Sequence, residues 1–374
     1  MIWLLWLACA IAFGYQITAV LASLKQLLRK PEPGDFAPPV SVLKPIRGLD
    51  PGMQQAIRSH ATQHYPEYEI LFGMARDFDP AGPEIRKLQS DFPHTPIRLI
   101  HSTTQSPNGK VGVLTDLTAQ ASHEILLVND SDILVPPGYL SAVVAPLADP
   151  SIGIVTCLYR ATAQSLPGIV EALGIATDFA PSTLVAPFVG IKEFALGSTL
   201  VFRRADLEAI GGWSAIAPYI ADDYQLGKRI TQLGKRVHLS TLVVETSLQG
   251  GSWSDVWRHQ VRWHRTIRVS RGAYIGLPVT MATLWATLAV TAGQWPIALA
   301  LMVTRFHVAF LAGWFVLRSS LVIRYFWLIP IRDLFAVAVW VAGLTGSRVR
   351  WRDEELELTS DGRIRGKTIS EGPA

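Results

Sequence analysis

Residues Ile2 to Leu24 carry no charge, and that run restricts the folds open to this chain more than any other feature. It has about the length an α-helix needs to cross the ~30 Å hydrocarbon core of a bilayer. A cleaved signal peptide would have a basic start, a shorter apolar core and a small-residue cleavage site. Here nothing basic precedes the run, while Lys25, Arg29 and Lys30 follow it. The bias of basic residues toward the cytoplasmic side predicts an uncleaved anchor, with its amino terminus outside and the chain after Lys25 in the cytoplasm. In a bacterial cell this is the inner, or plasma, membrane.

The 374 residues are 49% hydrophobic and 17% charged, too apolar for an ordinary soluble enzyme and too charged for a bundle wholly in lipid. The apolar residues are segregated accordingly. After the anchor (1–25) comes a proline-rich linker (26–39), then a globular region (40–250) long enough for one sizeable core. Residues 251–272 are basic and tryptophan-rich, 273–346 are again apolar, and 347–374 form a polar tail. With a net charge of only +4, no nucleic-acid partner is expected; the basic residues sit near membrane edges, where anionic lipid heads attract them. Cys9 and Cys157 offer neither a disulfide framework nor a zinc site. Nothing in the sequence calls for a protein partner.

Within 40–250 short apolar runs alternate with helical patterns. Residues 40–43, 69–74, 97–100 and 125–128 read as strands, and 51–64, 83–92 and 110–121 as helices between them. This alternation predicts an α/β fold with a mostly parallel, Rossmann-like sheet. Strands follow at 152–157 and 198–202, then a helix at 222–233 ended by Gly234. Past Leu277, residues 277–303 lack charge but are interrupted by Gly293-Gln294-Trp295-Pro296, which suggests two spans, the second running through Arg305 and His307 to Leu317. The run 334–344 is short for a crossing and suits a re-entrant or interfacial helix.

Polar residues at the predicted strand ends carry the chemistry. The apolar run 125–128 leads into Asn129-Asp130-Ser131-Asp132. Open α/β sheets bind ligands beyond the carboxyl ends of their strands, and two carboxylates there can hold Mg²⁺ or Mn²⁺ that bridges to phosphates. Asp also ends strands simply as a turn former; a second acidic pair, Asp222-Asp223, favours the catalytic reading. One of that pair can serve as a general base toward a hydroxyl, and we assign Asp223, with Asp222 in support. Lys44 and Asp50, in the segment after the first strand, and Lys110 are candidate donor contacts. The segment 75–79, after the second strand, can accept hydrogen bonds from a base or ribose. On a helix over 252–268, Trp253, Trp257 and Val261 share one face, with Arg258, Arg262 and Arg265 along another, the pattern of an interfacial helix. Arg262 can also reach a diphosphate, and Trp263 can stack on a sugar.

These motifs together resemble the ceramide glucosyltransferases and their bacterial relatives, including glycosyltransferases of hopanoid biosynthesis. The likeness spans about 40–352 and rests on Leu43-Lys44-Pro45-Ile46-Arg47-Gly48-Leu49-Asp50, Asp77, Asp130-Ser131-Asp132, Asp223 and Arg262-Trp263. The resemblance implies an inverting GT-A fold, with nucleotide contact at Asp77, metal and diphosphate at Asp130 and Asp132, and a base at Asp223. The family's Q/R-x-x-R-W motif has Gln or Arg where this chain has His259, with Gln260 adjacent; both are carried as donor contacts. The expected activity is transfer of a hexose from a UDP-sugar to a lipid hydroxyl, on ceramide or, alternatively, on a hopanoid or other polyprenoid from UDP-N-acetylglucosamine. A membrane scaffold that keeps the fold without catalysis is the reading from a different class.

Overall fold

The computed structural model describes residues 2–31, 36–76, 78–248, 251–272, 274–351 and 354–369. Seven strands form the central sheet: β1 Val40–Ile46, β2 Tyr68–Met74, β3 Ile97–His101, β4 Ile125–Val128, β5 Ile152–Ala163, β6 Leu200–Arg203 and β7 Arg236–Leu248. Their spatial order is β3-β2-β1-β4-β6-β5-β7. The first four run parallel, β6 lies antiparallel between β4 and β5, and β7 is parallel to β5. Alternate strand residues feed two cores: Val42, Ile70 and Leu127 face one side, and Leu43, Leu71 and Leu126 face the other. Covered on both faces, these strands read as nearly continuous apolar runs. The chain winds outward from β1 to β3 and returns at β4, so a crevice opens where β1 and β4 lie side by side, the usual ligand position.

Among the described residues four helices are long and apolar enough to cross a membrane: Ile2–Leu28, Leu166–Val189, Trp295–Val316 and Phe326–Gly343. The bent pair Tyr274–Thr280 and Ala282–Thr291, which meet at 65°, makes up to five. The anchor helix buries a stripe of small and polar residues (Cys9, Ala12, Gln16, Ala19, Ala22, Ser23) against the bundle, the composition that lets helices approach closely in lipid. Trp3, Leu7 and Leu21 point outward. Gly293, with φ of 73°, makes the turn between helices Ala282–Thr291 and Trp295–Val308.

The structure departs most from the sequence reading in three places. Residues 166–189, which lack a prediction, form an apolar helix with a π-helical segment at Ile175–Phe179. The last apolar run is longer than 334–344, because Arg332 and Asp333 lie inside the helix with their charges paired. Finally, the polar tail folds: β8 Arg348–Trp351, β9 Glu354–Leu358 and β10 Ile364–Ile369 form an antiparallel sheet. Its alternating pattern buries Val349, Leu356 and Leu358 against Ile220 and Val269, a period-2 signal that an average over the tail conceals.

Candidate active site

The crevice is a single cavity of about 680 Å³, within the range of small-molecule sites. Its sheet end is built by the loops after β1 and β4, by the turn before β6 and by the start of helix Asp222–Gln232. Asp50, Lys110, Asp130, Asp132, Asp222, Asp223, His259, Gln260, Arg262 and Trp263 all line it, so nearly every residue singled out from sequence converges on one space.

Lys110 is the hub of the acidic end. Its Nζ lies 2.8 Å from Asp130 Oδ1 and 3.3 Å from Asp222 Oδ2. Burial works against the ammonium, but Asp130, Asp222 and Asp223 more than offset it and hold its pKa above the ordinary lysine value. Asn108 caps the helix that carries Lys110, accepting from the backbone N–H groups of Lys110 and Val111. Asp223 accepts from the N–H of Gly197 at 2.9 Å and of Tyr224 at 2.7 Å. Burial first, then the neighbouring Asp222 carboxylate, push its pKa up to about 6. Gly197 separates the two acidic groups: a Cβ there would stand 3.4 Å from Asp223 Oδ2 and 3.5 Å from Asp130 Oδ2. A side chain at 197 would fill the space between Asp223 and Asp130, and sequence alone gives no sign of that.

The Asp130-Ser131-Asp132 turn is braced on every side. Ser131 donates to Asp50 Oδ2 at 2.5 Å, and the Thr246 hydroxyl donates to Asp132 Oδ2. Burial and the adjacent Asp130 raise the Asp132 pKa, a repulsion that a cation would relieve. Two carboxylates on one turn suit a hard cation that takes its remaining ligands from diphosphate and water. Among the described residues no cluster of three or more His, Cys, Asp or Glu completes a metal cage.

Lys44, expected as a donor contact, is not among the residues that line the cavity. Strand β1 continues through Ile46, so Lys44 lies within the strand and is fully buried. Its Nζ donates to Asn129 Oδ1 at 2.8 Å and to the Asp130 carbonyl at 3.0 Å. Burial lowers its pKa to about 7, against the pull of Asp132 and Asp130. It therefore braces the acidic turn from behind. Asp77 lies outside the described residues. Its neighbour Asp79 accepts from the N–H groups of Gly48, at 2.8 and 3.0 Å, and Ala81, at 2.9 Å, which locks the loop after β1.

Helix Trp253–Ser270 begins with a capping box between Ser252 and Asp255. Its tryptophan face packs on the bundle: Trp253 and Trp257 meet Phe335 at 6.4 and 5.8 Å between ring centres. Much of its basic row serves protein, with Arg265 donating to the carbonyls of Thr345 and Arg348, and Arg268 to those of Leu344 and Gly346. Those carbonyls include the end of helix Ile329–Gly343, where cations are favoured. His259 Nδ1 and Gln260 Nε2 both donate to Glu171 Oε1, at 2.5 and 2.9 Å. His259 lies 4.7 Å from Trp263, and Phe179 packs on the same tryptophan at 6.4 Å. Glu171 was missed from sequence, although an acid within an apolar helix is itself a signal of function. The β8–β10 sheet closes the cavity: Glu354 pairs with Arg47 at 2.8 Å, and backbone bonds join Ile220 to Gly362 and Ile364 to Pro218 just before the Asp222-Asp223 pair.

Comparison with known proteins bears on the family and the fold. The family described as Glycosyl transferase family 21 matches residues 4–364. Ceramide glucosyltransferase 1 of Caenorhabditis elegans is 23% identical over 95% of this chain and 79% of its own. Ceramide glucosyltransferase 3 of the same organism is 22% identical over 93% and 79%. A ceramide glucosyltransferase of Gibberella zeae is 26% identical over 44% of this chain and 35% of its own. Among solved structures, the mannosyltransferase PcManGT from Pyrobaculum calidifontis, in complex with GDP-Man and Mn²⁺, superposes with a TM-score of 0.55 over 90% of this chain and 97% of that one, at 17% identity. That likeness is one of fold.

Proposed function

The chain belongs to glycosyl transferase family 21, and from that premise we propose that it transfers a hexose, with inversion, from a UDP-sugar to the hydroxyl of a membrane lipid. Ceramide is the favoured acceptor, by the names of the relatives. The observation that carries the reading is Asp223. Its carboxyl lies across Gly197 from Asp130, inside the same cavity, with a pKa near 6. A base poised near neutral pH is partly free to accept a proton and strong enough to help remove it.

In this reading the acceptor hydroxyl lies against Asp223, which takes its proton as the oxygen attacks the anomeric carbon. UDP departs toward Lys110 and the Asp130-Ser131-Asp132 turn. Lys110 and Arg262 contribute positive charge to the leaving diphosphate. Asp130 and Asp132 would hold Mg²⁺ or Mn²⁺, which when bound neutralises charge on the diphosphate. Asp222 keeps Lys110 in place, and His259 and Gln260, fixed by Glu171, present the Arg262-Trp263 corner to the donor. A non-catalytic scaffold would have no use for a base, an ammonium and two metal-competent carboxylates converging within one cavity.

We place the catalytic region on the cytoplasmic side, on the strength of Lys25, Arg29 and Lys30 after the anchor. External protease on intact cells should then leave 40–250 uncut. In nanodiscs, radiolabelled sugar from a UDP donor should enter the organic phase when ceramide or a hopanoid polyol is supplied. Label found only in water-soluble product, whichever lipid is offered, overturns the lipid-acceptor reading. Titration of Asp132→Ala with UDP and Mn²⁺ should reveal weakened binding; a curve matching the parent removes the metal assignment.

A further inference from the structure

The cavity has a second end. From Asp223 it continues along helix Leu166–Val189 to Asp178, Ser182 and Arg332. Ser182 bonds Tyr15 of the anchor helix at 2.9 Å. Tyr15 lies ten residues before Lys25, about 15 Å along a helix. The far end is therefore among membrane-spanning helices, yet it is polar.

Four charged side chains meet there. Arg305 grips Asp333 with two bonds, at 2.8 and 2.7 Å, and Arg332 donates to Asp178 Oδ2 at 3.0 Å. Side-chain exposure separates them: Arg305, Asp333 and Arg332 are at 5, 6 and 8%, whereas Asp178 is at 38%. Arg305 and Asp333 are sealed off, Arg332 only edges the cavity, and Asp178 is the most open to it. Of its two oxygens, only Oδ2 is bonded among the described residues. A carboxylate is purely an acceptor, so the other oxygen presents an unused acceptor to whatever fills the cavity. Asp178 sits in the π-helical segment Ile175–Phe179, a local distortion that often marks functional sites in helices. Gly174 lets the Arg332 guanidinium lie against this helix, since a Cβ there would stand 2.7 Å from its nitrogen.

We propose that Asp178 is the head-group selector of the acceptor site. Resting on the lipid-acceptor reading above, the structure assigns to it a hydrogen-bond donor, an amide N–H or second hydroxyl, a few bonds from the reacting hydroxyl of an uncharged amphiphile. Phe179, one residue on, continues the wall beside Trp263, and Leu277 and Met281 offer apolar surface for the chain that follows the head group. An anionic head would meet the Asp178 carboxylate and be disfavoured.

The test uses matched acceptors in nanodiscs: a long-chain amide diol and its N-methyl amide, and a hopanoid polyol and the same compound with its adjacent hydroxyl O-methylated. The full-length protein should prefer the free donor of at least one pair by about tenfold in kcat/KM, the scale of one hydrogen bond to a charged group. Asp178→Asn should erase most of that ratio, with UDP and Mn²⁺ binding by calorimetry showing an intact fold. Should Asn prevent folding, Asp178→Glu keeps the partner of Arg332 but displaces the free oxygen, and it should also lower the ratio. Transfer by the parent with a ratio unchanged in the variant, or no discrimination by the parent, overturns this assignment and leaves the lipid-acceptor reading intact. No transfer by the parent to either pair removes that reading and the subsite with it.

Discussion

Two groups of charges lie inside this protein, and they are balanced differently. At the carboxyl ends of β1 and β4 Lys110 stands among Asp130, Asp222 and Asp223, with Asp132 beyond and Lys44 behind, so carboxylates outnumber ammonium groups. Asp222 Oδ2 is buried with no hydrogen bond, only the 3.3 Å approach of Lys110. In the membrane bundle, Arg305 and Arg332 face Asp333 and Asp178, two against two. Charges taken out of water are tolerated when paired and bonded. The balanced group is complete without a ligand except for one oxygen of Asp178. In the unbalanced group burial first, and then repulsion between carboxylates, raise two carboxyl pKa values, the kind of perturbation that clusters at functional sites. The contrast separates a strut from the proposed reaction centre on charge balance alone.

The sharpest way to break that contrast is Asp223→Asn. Loss of a general base costs about 10²- to 10⁴-fold in turnover, and UDP binding in the presence of Mn²⁺ should stay within a few-fold of the parent. Near-normal transfer would remove Asp223 as the base and with it the meaning given to the repulsion. In the other group, Asp333→Leu strands Arg305 in the bundle. Breaking one side of a buried pair costs about 3–5 kcal/mol, so the variant should fail to accumulate or should unfold at much lower temperature in detergent. A stable Asp333→Leu protein would mean that the bundle charges are not structural.

A smaller effect sharpens the reading of Asp222. The Asp223 carboxyl, raised to about 6 by burial and by Asp222, would have to be ionised to act as the proposed base. The pH profile of kcat/KM should therefore fall as pH drops through about 6, and Asp222→Asn, which deletes the repelling charge, should move that limb to lower pH. Stability runs the other way. The folded state holds this proton more tightly than a free Asp near 3.8, so its stabilising contribution is full below about 4 and lost as pH rises to about 6. A limb that stays in place in Asp222→Asn would assign it to another group.

The residues at the sheet edge were legible because a buried parallel strand writes itself as an apolar run, and Asp130 falls where such a run stops. The same rule misled at Lys44. The run seemed to end at Leu43, while β1 continues through Pro45 with the ammonium folded back onto Asn129 and Asp130. Helix Leu166–Val189 was hidden for another reason. It carries Pro167, Pro181 and Pro187 together with Glu171 and Asp178, punctuation that sequence reading takes for a loop. Pro167 sits in the first turn, where its missing N–H is harmless, and both acids are paired across the bundle. Tertiary partners that no local window contains made the segment a helix, and the β8–β10 sheet escaped for a similar reason.

Glu171 offers the smallest effect, and it tests whether the newly found helix belongs to the reaction centre. Its side chain is 5% exposed and one oxygen receives both His259 Nδ1 and Gln260 Nε2. Gln at 171 keeps the shape but replaces a charged double acceptor with a neutral amide whose NH₂ cannot accept. The two residues beside Arg262 and Trp263 would then share a neutral carbonyl, a weaker acceptor than the carboxylate oxygen they share now. Weakening a hydrogen bond to a charged group by about 1.4 kcal/mol corresponds to tenfold, so Glu171→Gln should raise the donor KM by about that factor. The effect should appear with ceramide and hopanoid acceptors alike, because the donor corner is shared, whereas Asp178→Asn alters the ratio between acceptors. A lowered Tm with an unchanged donor KM would make Glu171 part of the bundle's packing alone.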